Sequence, residues 1–200
     1  MRNFALLSFA AALVATASAD LVTAFSTGEG RSRYQTDLRW TLDGSPAIVS
    51  DAHPAWYVPS GAKYVNGTGN SSDAVVFGAK TYTTTFDLSG YLPATASFTF
   101  DFAVDNAATI FLNGNYIGND TAGFGGLSTI SHGGSFFNAG NNVFTVVVQN
   151  GVGPGDDEFG PTGLAGNLRV EATAAPVPEP ASIAILGLGL AALRRRRAAK

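Results

Sequence analysis

The sequence predicts an all-β protein whose body is an antiparallel sandwich of two sheets. Three observations carry this prediction: apolar and other side chains alternate in several runs, glycine occurs 24 times among 200 residues, and charged residues make up only 14% of the chain. Alternation with a period of two indicates strands with one buried face, and abundant glycine with few charges indicates turns and strands rather than long surface helices. No stretch of the body has a convincing helical period. Two sheets that bury one face against each other are therefore expected.

The clearest strand patterns lie in the later part of the body. Residues 98–104 alternate Phe or Val with Thr, Asp and Ala, and residues 82–88 and 164–170 also place their larger side chains on one face. The Asn-Gly pair at 113–114 can adopt the positive φ angles of a two-residue type I′ turn, which predicts a hairpin. Residues 141–150 are apolar on both faces, which predicts a central strand buried between layers.

The first nineteen residues have the order of a secretory signal peptide. Arg2 supplies a positive charge ahead of an apolar run at residues 4–15. Ala17 and Ala19 then form a small-x-small site, where signal peptidase would cut after Ala19. The alternative is a buried N-terminal helix. With the signal peptide removed, the body begins at Asp20.

The chain ends in a proline-bracketed acid, a short apolar run and a basic cluster. The acid and its neighbours are Val177, Pro178, Glu179 and Pro180, and the cluster is Arg194, Arg195, Arg196 and Arg197. A helix over the thirteen residues 181–193 would be about 20 Å long, shorter than a hydrocarbon core of ~30 Å. Arginine side chains can snorkel, and basic clusters prefer the cytoplasmic side of a membrane. The predicted topology therefore sends the body outward and holds the end inward.

These three parts, in this order, resemble the PEP-CTERM protein-sorting signal of Gram-negative bacteria, a tail also called an ice-binding protein C-terminal domain. The resemblance implies recognition by an exosortase in the membrane, removal of the tail near the Pro-Glu-Pro motif, and delivery to the cell surface or an exopolysaccharide matrix or biofilm. A plain membrane anchor is the alternative. The predicted organisation is a signal peptide at 1–19, a sandwich at 20–173, a linker at 174–176 and the sorting signal at 177–200.

Charge divides along the same boundaries. Between Asp20 and Pro176 the chain carries six basic and fourteen acidic residues, a net charge of −8, whereas the tail is basic. Nucleic-acid binding needs clustered Lys and Arg to neutralise phosphates. The acidic body therefore excludes nucleic acid as a partner.

From residue 98 onward the order of elements is similar to the galactose-binding-like β-sandwich, a jelly roll found in many carbohydrate-binding modules and glycosidase accessory domains. Asp105 and Asn106 fit its acidic-amide pair before the hairpin, and Asn142 fits the start of its long strand. The resemblance implies a jelly-roll body and makes extracellular polysaccharide a candidate partner.

Sugar binding needs an aromatic platform for the apolar sugar face, together with polar groups for the hydroxyls. Trp56 and Tyr57 lie in the proline-flanked loop AHPAWYVPSG and are the candidate platform, with Asp105 and Asn106 as candidate polar partners. The alternative is that both aromatic side chains fill the edge of the sandwich.

One acidic segment could bind a metal ion. Asp156, Asp157 and Glu158 lie in a glycine-rich loop, and hard oxygen ligands of this kind bind Ca²⁺. The resemblance to galactose-binding-like sandwiches, which often hold a structural calcium ion, also favours calcium binding by this chain. The spacing is not that of an EF-hand, and the alternative is a solvated turn.

No catalytic constellation is predicted. The chain has no cysteine, its two histidines, His53 and His132, lie in loop-like segments, and a Gly-x-Ser-x-Gly nucleophile motif is absent. The favoured hypothesis is therefore a non-catalytic surface or matrix protein associated with exopolysaccharide. A secreted glycan-active hydrolase with an unrecognised site, or a purely structural adhesive domain, are the alternatives.

Overall fold

Strands dominate the computed structural model, which describes residues 18–73, 75–120, 122–151, 159–176 and the single residue 195. The strands are β1 (Asp20–Ser26), β2 (Thr36–Leu42), β3 (Ser45–Val49), β4 (Val65–Asn66), β5 (Val75–Val76), β6 (Gly78–Asp87), β7 (Ser97–Asp105), β8 (Ala107–Leu112), β9 (Asn115–Asn119), β10 (Ser128–Gly133), β11 (Asn141–Asn150), β12 (Phe159–Gly160) and β13 (Gly163–Ala172). Two 3₁₀ turns, at Pro93–Thr95 and Gly123–Gly125, are the only helical elements in the part of the body that the structure describes. The all-β prediction is confirmed.

All strand pairs are antiparallel, and they form two layers. One layer has the order β10-β7-β13-β1, and the other has the order β3-β2-β6-β11-β8-β9. The short strand β4 pairs with both β13 and β3, so that the two layers are joined by hydrogen bonds into one continuous sheet. Strands β5 and β12 form a separate pair.

Aromatic side chains from both layers meet in the core. Phe98, Phe100 and Phe102 lie on one face of β7 and are fully buried, as their alternation predicts. The Phe100 ring lies 5.1 Å from that of Phe144 on β11 and 5.9 Å from that of Trp40 on β2. Burial of this aromatic area holds the two layers together.

The predicted hairpin is confirmed, and the predicted central strand needs one correction. Asn113 and Gly114 have φ angles of 50° and 79° and join β8 to β9. Strand β11 is central, between β6 and β8, but only one of its faces is fully buried; Val143, Thr145 and Val147 on the other face are half-buried. The prediction of burial on both faces is wrong because the sandwich has two layers, so that no third layer covers the outer face.

The two ends of the body lie side by side. Strand β1 begins at Asp20, immediately after the predicted cleavage site, and Asp20 pairs with Ala172 at the end of β13. Ala19 is exposed, whereas Ala17 lies outside the described residues. The predicted linker begins in contact with the body, because the Ala175 amide donates to the Gly90 carbonyl at 2.8 Å.

Most of the tail lies outside the described residues. This holds for the Val177–Pro180 motif, for the predicted apolar helix at 181–193, and for all of the basic cluster except Arg195, which is exposed. Within the described part of the chain, no helix has the length and apolar character needed to cross a membrane.

Candidate functional site

The connections at one end of the sandwich line an open pocket of about 230 Å³. This is the end at which β7 and β11 finish and β13 begins. Its apolar wall comes from Trp56, Phe77, Phe124 and Pro161. Its polar side comes from His53, Asp105, Asn106 and Asn150. The pocket thus brings together three of the four residues that the sequence nominates for ligand binding, and Tyr57 is not among its lining residues.

Asp105 and Trp56 form the centre of the pocket. The indole Nε1 of Trp56 donates a hydrogen bond to Oδ2 of Asp105 at 3.0 Å. Asp105 is only 3% exposed, and its Oδ1 accepts no hydrogen bond from any described residue. The carboxyl group is thus buried with half of its hydrogen-bonding capacity unused.

Burial raises the pKa of Asp105 to about 6, and the hydrogen bond from Trp56 and the positive charge of His53 act in the opposite direction. Because folding raises this pKa from 3.8, the stabilising contribution of the protonated form is complete below pH 3.8 and is lost as the pH rises through about 6. At neutral pH the protein therefore keeps a buried carboxylate at a cost in stability. Costs of this kind are typical of binding and catalytic sites.

A glycine on β13 lets Trp56 reach its place. A Cβ atom on Gly163 would lie 2.9 Å from Tyr64 Cδ1 and 3.2 Å from Trp56 Cζ3, so that a larger residue would displace the two rings. These rings pack with their centroids 4.5 Å apart. Trp56 is 7% exposed, whereas Tyr57 is 41% exposed. Trp56 therefore both fills the edge of the sandwich and lines the pocket, while Tyr57 faces solvent.

Two asparagines hold the polar side of the pocket in shape. Asn106 Oδ1 accepts from the Gly151 amide at 2.9 Å, and the Asn150 Nδ2 group donates to the carbonyls of Val75 and Gly160 at 3.1 and 3.2 Å. Asn150 Oδ1 is buried and, like Asp105 Oδ1, has no hydrogen-bond donor among the described residues. Asn150 is not among the residues that the sequence pattern indicates, because its only local signal is its position at the end of a long strand, just before a glycine.

The calcium hypothesis is not tested. Asp156, Asp157 and Glu158 lie outside the described residues, and the described ranges contain no group of three or more His, Cys, Asp or Glu side chains that could hold a metal ion. Asp105 and Asn106, which also carry oxygen atoms that could bind a calcium ion, lie side by side in the pocket. A calcium ion at the acidic loop remains a prediction.

The described wall of the pocket contains one carboxylate, that of Asp105, and neither serine nor cysteine. Glycoside hydrolysis generally requires two carboxyl groups, about 5–5.5 Å apart in retaining and about 6.5–9.5 Å apart in inverting enzymes. His53 lies in the pocket, 5.6 Å from the Trp56 ring, whereas His132 is on β10 at the other end of the sandwich and stacks on Phe136. This geometry can bind a small polar ligand against an aromatic wall.

Two family models match the chain. The model described as beta-galactosidase second all-beta domain matches residues 37–152, and the model described as PEP-CTERM protein-sorting motif matches residues 176–198. The second match coincides with the tail whose tripartite order resembles this sorting signal. No curated protein matches the chain.

Similar solved structures include glycoside hydrolases and carbohydrate-binding modules. A GH2 beta-galacturonidase from Eisenbergiella tayi has 12% identity and a TM-score of 0.41, over 76% of this chain and 25% of that chain. A putative beta-galactosidase from Bacteroides fragilis has 16% identity and a TM-score of 0.41, over 75% of this chain and 23% of that one. The C-terminal family 22 carbohydrate binding module of Clostridium thermocellum has 14% identity and a TM-score of 0.39, over 77% of this chain and 96% of that chain. The chain thus spans about a quarter of the length of the two enzymes.

Proposed function

We propose that this chain, which belongs to the family of the beta-galactosidase second all-beta domain, is an exported surface protein whose sandwich binds carbohydrate without cleaving it. The PEP-CTERM motif at residues 176–198 implies processing by an exosortase, with export and a membrane-anchored step in a Gram-negative bacterium.

The observation that carries the binding proposal is the pairing of Trp56 with Asp105 in one pocket. A sugar ring has an apolar face and a rim of hydroxyl groups, so its binding sites combine an aromatic wall with a few fixed polar groups. The Trp56 indole supplies such a wall, and its hydrogen bond to Oδ2 fixes the carboxylate, whose buried Oδ1 accepts no hydrogen bond from any described residue.

Binding without hydrolysis is favoured because Asp105 is the only carboxylate on the described pocket wall. A glycosidase would need a second acid at a defined separation. The remaining alternative, a purely structural adhesive domain, gives no reason for a buried carboxylate with an unused oxygen, since such a group lowers stability.

We place the delivered protein at the cell surface or in an exopolysaccharide matrix. Signal peptidase would cut after Ala19, just before β1, and exosortase would cut near Val177–Pro180, just after Ala175, whose amide is hydrogen-bonded to the body. Intact mass of the protein recovered from the native cell surface tests this, with an expected chain that starts at Asp20 and ends near Pro178. A membrane-bound chain that still ends at Lys200 would identify the tail as a simple anchor and would remove the support for matrix delivery.

Glycan binding is tested with the full-length chain on a broad glycan array, with and without calcium. We expect Trp56→Ala to weaken binding at least tenfold, because an aromatic wall of this size contributes more than the ~1.4 kcal/mol that corresponds to a factor of ten. Trp56→Phe, which keeps a ring but loses the donor to Asp105, should give an intermediate loss.

The matched control is Tyr116→Ala. Tyr116 is an exposed aromatic residue on the hairpin at the opposite end of the sandwich, and its removal should leave binding unchanged. Thermal unfolding of each variant separates lost binding from lost folding. Absence of binding to every glycan, with and without calcium, would defeat the proposal, and release of reducing sugar from a bound glycan would favour the hydrolase.

A further inference from the structure

The buried side-chain atoms of the pocket that lack a hydrogen-bond partner are acceptors. Among the described residues that line it, two buried side-chain atoms lack a partner, Asp105 Oδ1 and Asn150 Oδ1. Both are oxygens, and both belong to side chains whose other terminal atom is already hydrogen-bonded. A buried acceptor without a donor is costly, so a ligand that brings donors to these two oxygens gains affinity.

We propose that the pocket selects a single non-anionic sugar unit, which donates hydroxyl hydrogens to Asp105 and Asn150, and that it rejects units carrying a carboxylate, sulfate or phosphate. The inference rests on the proposed carbohydrate-binding function and adds the class of sugar. Asp105 is the residue that determines the selectivity, because an anionic ligand would bring further acceptors and a like charge to a carboxylate that already lacks a donor.

The volume of the pocket fits a single sugar unit. Its volume of about 230 Å³ is below the ~300–1,000 Å³ of pockets that enclose drug-sized ligands. Trp56 and Phe124 belong to the apolar wall, against which one face of the sugar ring would pack. The hydroxyl groups of the sugar would then contact the polar side of the pocket.

The charges around the pocket also favour a non-anionic ligand. Sites that bind carboxylates or phosphates use Arg or Lys. No Arg or Lys lines the described part of the pocket, where His53 is the one basic side chain. Asp105 and Asp120 both act electrostatically on Tyr64, the ring that packs on Trp56, so a second acid lies near this end of the sandwich. The body as a whole carries a net charge of −8.

The pH dependence of sugar affinity gives a second test of the role of Asp105. Burial raises the pKa of Asp105 to about 6 in the empty pocket, and hydroxyl donors to Oδ1 would favour the ionised form and lower that pKa. Affinity for a neutral sugar should therefore fall as the pH drops through about 6. The titratable groups that face Asp105 are His53, on the loop that carries Trp56, and Tyr64.

The experiment compares sugars that differ in one group. Methyl β-galactopyranoside and methyl β-glucopyranoside are each paired with the corresponding uronate, in which a carboxylate replaces the primary alcohol. Binding to the full-length chain is measured by calorimetry and ligand-observed NMR at pH 7.5 and pH 5. At pH 7.5 we expect the uronate to bind at least tenfold more weakly than the neutral glycoside of the same pair. This ratio of the two affinities should be smaller at pH 5.

Asp105→Asn should bring the two members of the pair to within about threefold at both pH values, because the amide removes the charge but keeps an oxygen for Trp56. Asp101→Asn, which removes the same charge from the same strand outside the pocket, should leave the ratio unchanged. Equal or tighter binding of the uronate at pH 7.5 overturns the inference. If array glycans bind but show no such discrimination, the inference fails and the proposed function stands; if no glycan binds, both fail.

Discussion

Phe100→Ala lowers the free energy of unfolding by about 3–5 kcal/mol, the largest loss that we expect from a single truncation in the sandwich. Phe100 is fully buried on β7. Its ring stacks on that of Phe102 at 4.7 Å and also contacts those of Phe144 and Trp40 in the opposite layer. Truncation removes the contact between layers at its centre and leaves a cavity that rigid neighbouring strands cannot close.

Urea unfolding of the full-length chain, followed by tryptophan fluorescence, measures this loss. Since a domain of this size is stable by only about 5–15 kcal/mol, the variant should lose a large part of its stability. Phe136→Ala is the matched control, because Phe136 is 46% exposed and its loss should cost less than about 1 kcal/mol. Equal losses in the two variants would mean that the Phe100 cluster does not carry the packing between layers.

The parts of the fold that sequence patterns predict are those that local periodicity determines. Strands β7 and β13 and the hairpin at Asn113 each have an alternating pattern or a turn signal within a few residues. Strand β4 has neither, because it is only two residues long, yet it joins the two layers. Its position follows from contacts with distant strands, which one sequence does not reveal.

In the candidate site, too, local patterns predict some features and contacts between distant residues determine the others. The proline-flanked loop indicates Trp56, and the resemblance to a known sandwich indicates Asp105, but nothing local indicates that they are hydrogen-bonded across 49 positions of the chain. The sequence does not indicate Asn150, because an asparagine at the end of a strand is ordinary until the fold places it in the wall of a pocket. The sequence thus supplied residue types suited to sugar binding, and the antiparallel connections at one end of the sandwich determine which of them meet.

Asp37→Ala should cost about 2–4 kcal/mol, although it removes a charge from an acidic protein. The Asp37 carboxylate is 6% exposed and accepts three backbone hydrogen bonds, from the amides of Gly28, Arg39 and Trp40, at 2.5, 2.7 and 2.8 Å. Alanine offers no acceptor, so three amides at the junction of β1 and β2 lose their partner. Chemical unfolding at pH 7 measures the cost.

Asp37→Asn separates the hydrogen bonds from the charge. Its single carbonyl oxygen can replace one carboxylate oxygen but its amide group cannot accept, so the loss of stability should be roughly half that of alanine. Because Asp37 does not line the pocket at Trp56, both variants should keep the glycan affinity of the wild type per folded molecule. If Asp37→Ala were as stable as the wild type, the carboxylate would not be the anchor of this junction; if it bound glycans more weakly while fully folded, the binding site would have to extend beyond the pocket toward β2.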